Sequence, residues 1–191
     1  MKLDKSSITL IILIIVFLGT ALVGILTSPA HAQVNASYAQ VTKGITQYFK
    51  MDTSYGDDIF NGMLHYGTNK DKQVSLLISE THGNVKQVMI VFMEGSPISY
   101  SGMDSQKYAQ LADESFKVVI DNIFYNCNPN NPHENILRRT TLWIKLRRND
   151  LMGFNVKSGK RYTKTFNGRV VQVYSVFMPQ LKRGFNVVSI T

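Results

Sequence analysis

Between Asp104 and Phe124 the chain repeats apolar residues at Tyr108, Leu111, Ala112, Phe116, Val119, Ile120 and Ile123. That i, i+3, i+4 recurrence draws one continuous stripe along a helix, with Lys107, Asp113, Glu114, Lys117 and Asp121 on the wet side. A helix of this kind must bury its stripe. Runs rich in Val, Ile, Phe and Tyr lie on both sides of it, so its natural partner is a β-sheet.

The remaining elements follow from period and punctuation. Tyr38, Val41, Ile45, Tyr48 and Phe49 fall at helical spacing behind Asn35 and Ser37, either of which can cap, and predict a first helix over 37–50, weakened by Gly44. Tyr55 to Asp58 reads as a turn. Strands are expected over 59–66, 74–81 and 85–93, the last two joined across His82-Gly83-Asn84. After the central helix, Pro129 and Pro132 stop it from continuing, and Leu137 to Arg148 alternates with period two. This alternation predicts a strand with Leu142, Ile144 and Leu146 pointing inward. Arg161–Phe166 and Arg169–Met178 flank Asn167-Gly168, a strong hairpin signal, and Phe185–Ile190 closes the chain as a final strand.

The expected architecture is α+β: a single domain over residues 33–191, with an antiparallel sheet of about six or seven strands and two helices on one face. The element order is α-β-β-β-α-β-β-β-β. With 44% hydrophobic residues, the 191-residue chain can build one ordinary core. Its only cysteine is Cys127, so packing rather than an internal disulfide must hold the domain together.

Residues 1–32 read as a Sec-type signal peptide: Lys2 and Lys5, then an apolar run from Ile8 to Leu26, then Ala30-His31-Ala32 before Gln33. The alternative is an uncleaved anchor, because residues 8–26 at about 1.5 Å rise each approach the roughly 30 Å core of a bilayer. Either way the domain is expected outside the cytoplasm, periplasmic or extracellular, or tethered to the membrane.

Charge is unevenly placed. Residues 33–124 hold seven Lys or Arg against ten Asp or Glu, a net of −3, whereas residues 125–191 hold twelve against Glu134 and Asp150 alone, a net of +10. A basic block of this kind favours an anionic macromolecule or an anionic membrane surface. On the strand reading, Arg139, Trp143, Lys145 and Arg147 share one side, on which alternate residues stand about 6.5 to 7 Å apart. Lys160, Tyr162, Lys164 and Arg169 extend that side across the hairpin. Trp143 has two readings, a stacking platform among cations or a ring covered by a neighbouring element.

Other function classes have less to rest on. A small apolar-ligand carrier would line a pocket with residues such as Phe92, Met89, Phe116 and Phe177. A weak hydrolase would pair His65 or His82 with a carboxylate such as Asp57, Asp58, Glu80 or Glu134. No G-x-S-x-G elbow, zinc-ligand spacing or proper phosphate loop occurs, and no motif calls for a metal or a cofactor. The sequence thus reads as an exported, non-enzymatic binding or accessory module with a basic C-terminal segment.

Overall fold

A computed structural model of the chain describes residues 34, 36–57, 62–69, 74–92, 105–124, 133–151, 159–178 and 183–191. The signal segment, Cys127 and Asp58 lie outside these residues. All described residues belong to one unit, Gln33–Thr191.

The domain is α+β with an antiparallel sheet. A two-residue strand β1 (Ala36–Ser37) leads into a single helical turn α1 (Tyr38–Val41) and a 3-10 turn (Ile45–Gln47). Four strands follow, β2 (Phe49–Asp57), β3 (Gly62–Asn69), β4 (Val74–Thr81) and β5 (Asn84–Phe92). Two long helices, α2 (Ser105–Phe124) and α3 (His133–Asp150), precede β6 (Arg161–Phe166), β7 (Arg169–Met178) and β8 (Arg183–Ile190). The main sheet runs β2-β3-β4-β5-β8-β7-β6, and β1 adds to β5. It is therefore two antiparallel meanders sewn together where β5 pairs with β8, from Val88↔Ile190 to Phe92↔Asn186. The charge boundary follows the same seam: the net −3 block holds β1 to β5 and α2, and the +10 block holds α3 and β6 to β8.

Two expectations are corrected. The helix predicted over 37–50 shrinks to one turn of α-helix and one of 3-10 helix. Ser37 does cap α1, its Oγ accepting from Gln40 N–H at 3.2 Å while Gln40 Oε1 accepts from Ser37 N–H at 2.8 Å. Gly44 then takes φ 71°, a left-handed conformation that breaks the helix rather than merely weakening it. The chain is extended by Phe49, so β2 occupies the region expected to hold a helix end and a turn.

The larger correction concerns Leu137 to Arg148, which is helical and not a strand. The central helix, β4 and the Asn167-Gly168 hairpin fall where the sequence places them. In that hairpin Asn167 (φ 47°) and Gly168 (φ 77°) both take left-handed conformations, which Gly allows without strain and Asn tolerates.

The core lies between the helices and one face of the sheet. From α2 it takes Phe116, Val119, Ile120, Ile123 and Phe124, and from the sheet Val74, Leu76 and Ile78, Val88, Ile90 and Phe92, Val171 and Val173, and Val188 and Ile190. The opposite face is apolar and buried too, at Leu77, Met89, Val91, Phe185 and Val187. Burial on both faces explains the unbroken apolar run Val88–Phe92 of β5. Asn122 Nδ2 donates to the carbonyls of Val41 (2.9 Å) and Lys43 (2.5 Å), tying α2 to the first turns of the domain.

Candidate anion-binding surface

The site is built from α3 and the edge strand β6. As a helix, α3 turns each side chain about 100° from the last, and Leu137, Thr140, Ile144, Arg148 and Leu151 become one inward stripe at i+3 and i+4 spacing. Thr140, Ile144 and Leu151 are fully buried. Arg148 is only 5% exposed and lays its guanidinium on the Phe92 ring, 3.6 Å from the centroid. Two of five inward positions are polar, which hides the helical period from a reading of apolar residues alone.

The flank of α3 that meets β6 carries Trp143 and Arg147, one turn apart. Trp143 is partly buried against the core and meets Phe166 edge-on, with ring centroids 5.6 Å apart. Arg147 reaches over Tyr162, 4.8 Å from its ring centre, and its Nη1 donates to Asp150 Oδ2 at 2.8 Å. Lys160 approaches the same Tyr162 ring at 5.0 Å, and Lys164 approaches Phe166 at 5.2 Å. The hydrogen bond between Lys160 and Tyr162 is the main reason that the Lys160 pKa lies above its ordinary value. The aromatic rings of this edge are thus already engaged by cations of the same molecule.

The outward face of α3 carries Arg138, Arg139, Leu142, Leu146 and Asn149, all exposed, with Lys145 at its margin half-exposed. Leu142 and Leu146 are 56% and 52% exposed, one turn apart on the solvent side. The strand reading had placed them inward. It also passed over Arg138, which joins Arg139 and Lys145 on the same side. No acidic residue occurs from Asn135 to Asn149.

The eight residues singled out from the sequence are therefore divided. Arg147, Lys160 and Tyr162 form one cluster, with Trp143 and Lys164 beside it at Phe166. Arg139 and Lys145 stand on the outward side of the same helix. Arg169 belongs to neither: it is 8% exposed, its Nε donates to the Val34 carbonyl at 3.0 Å and its guanidinium lies 5.4 Å from the Phe124 ring centre. It is an internal tie between β7, the N-terminal segment and the end of α2.

No family model matches the chain, and no curated protein or solved structure does so either. The surface must be read from its own chemistry.

Two other groupings bear on the remaining function classes. His65 on β3 and Glu80 on β4 lie 3.2 Å apart, Nε2 to Oε1, and the Tyr38 ring stacks on the imidazole with centroids 4.0 Å apart. Burial, and secondarily the Glu80 charge, raises the Tyr38 pKa above its ordinary value. The contact fixes the start of α1 on the sheet, alongside the Tyr38 N–H bond to the Gly83 carbonyl. His82 sits in the β4–β5 turn at φ 50°, exposed. Among the described residues no three His, Cys, Asp or Glu side chains gather as a metal-ligand set. Of the residues expected to line an apolar pocket, Phe92 and Phe116 pack edge-on at 6.2 Å within the core. Met89, one residue before Ile90 on β5, faces the other side of the sheet.

Proposed function

We propose that the protein is an exported, non-enzymatic binding module that presents the outer face of α3 and the adjoining β6 edge to an anionic partner. The supporting observation is the outward face itself, where Arg138, Arg139 and Lys145 line one side of a helix with no acid among them. Arg147, Arg148 and Arg169 lie against Asp150, Phe92 and Phe124, whereas Arg138, Arg139 and Lys145 carry the reading by their place on the outward side of α3. Lys160 and Lys164, both exposed on the edge of the sheet, extend the potential. Export is part of the proposal through the Lys2 to Ala32 pattern. Among the described residues no helix is long and apolar enough to cross a membrane.

The test is retention on heparin, duplex DNA and anionic vesicles at low salt. Wild-type protein is expected to bind at least one of them and to be released as salt rises, whereas Arg139→Glu/Lys145→Glu loses most of that affinity at an unchanged Tm. Absence of binding to all three, or binding indifferent to the double reversal, overturns the proposal.

A further inference from the structure

The outward face of α3 has a second property that charge alone does not explain: two leucines stand more than half exposed in the middle of the cations. Leu142 and Leu146 are separated by one turn, and Arg138, Arg139 and Lys145 flank them on both sides. Resting on the function proposed above, we infer that the anionic partner is a phospholipid surface, on which α3 lies flat with Leu142 and Leu146 inserted at the level of the headgroups.

Three observations favour lipid over nucleic acid or an acidic protein. The apolar residues form a ridge on a convex helix, which suits a deformable surface, and long cationic stems beside them can lie along the acyl boundary with their heads among phosphates. The rings that would stack bases, Trp143, Tyr162 and Phe166, are turned to the α3–β6 seam and held there by Arg147, Lys160, Lys164 and one another. Finally, an anionic leaflet attracts each nearby Lys or Arg, and the three outward cations stand where they and the leucines would contact it together.

Full-length protein would be bound to any vesicle through residues 8–26 if that run remained attached, so the measurement must report on position 142 itself. Trp143 is the only tryptophan, so Trp143→Phe/Leu142→Trp moves the sole indole to the ridge, and Trp143→Phe/Leu146→Trp gives a second reporter should the first fold poorly. With vesicles of phosphatidylcholine and phosphatidylglycerol, the emission is expected to shift blue and to be quenched by brominated acyl chains. With phosphatidylcholine alone neither should occur, and adding Arg139→Glu/Lys145→Glu should weaken the response roughly tenfold or more. An indole that stays red and unquenched on anionic vesicles overturns the inference. If the same protein still binds heparin or DNA, the proposed function survives with a different partner; if it binds neither, both fall.

Discussion

The two long helices cover the same face of one sheet and differ in what they spend on it. α2 gives the core an apolar stripe, Phe116, Val119, Ile120, Ile123 and Phe124, and keeps polar residues such as Glu114 and Lys117 for water. α3 sends a threonine and an arginine into its buried stripe and leaves two leucines outside. Stability alone would have favoured the reverse assignment, because burying Leu142 and exposing Arg148 would cost less. The proposed anion-binding role of the outward face would account for this departure.

The contrast can be broken most severely from the α2 side. Phe116→Ala opens a void under Phe92 and should cost about 3–5 kcal/mol, while Leu142→Ala on α3 should cost no more than about 0.5 kcal/mol. Denaturant unfolding of the two variants tests this directly, and comparable losses would mean that Leu142 is packed. Next in size is Arg148→Ala, which removes a guanidinium from the Phe92 ring and leaves a buried gap; a loss of about 2–3 kcal/mol by the same method is expected. A near-neutral result would place Arg148 outside the α3 core stripe. Smaller and opposite in sign is Thr140→Val. Among the described residues the buried Thr140 Oγ1 has no hydrogen-bond partner, so the isosteric valine should raise stability by up to about 1 kcal/mol. The least effect is expected at high pH. The Tyr38 phenol has a folded-state pKa above its ordinary 10.0, so its contribution is complete below that pH and is lost as pH rises through the raised value. A Tm-against-pH profile should therefore fall less steeply above pH 10 in Tyr38→Phe than in wild type.

What could be read in advance follows the same contrast. α2 announced itself because its buried positions among the described residues, Phe116, Val119, Ile120, Ile123 and Phe124, are all apolar, and β4 and the Asn167-Gly168 hairpin because both are local signals. α3 was misread as a strand because Leu142, Ile144 and Leu146 alternate, although only Ile144 is buried. Its true stripe, Leu137, Thr140, Ile144, Arg148 and Leu151, is invisible to a count of apolar residues. Its ends were nevertheless marked in the chain. Glu134 stands second in α3 and Arg147 and Arg148 stand in its last turn, the placing of charge that suits the two ends of a helix. β2 was missed for a different reason: Tyr48 and Phe49 continue a helical spacing that Gly44 had already ended. Arg169 could not have been separated from the other cations by sequence, since its partners Val34 and Phe124 lie 135 and 45 positions away.

The account turns on whether the outward side of α3 is the surface that meets an anion. A backbone amide NMR titration of the protein with a short sulfated oligosaccharide measures this residue by residue. Shifts are predicted at Arg138, Arg139, Leu142, Lys145 and Leu146, with weaker ones at Lys160 and Lys164, and none along β2 to β4. Shifts confined to the β2–β5 meander, or as large there as on α3, would contradict it.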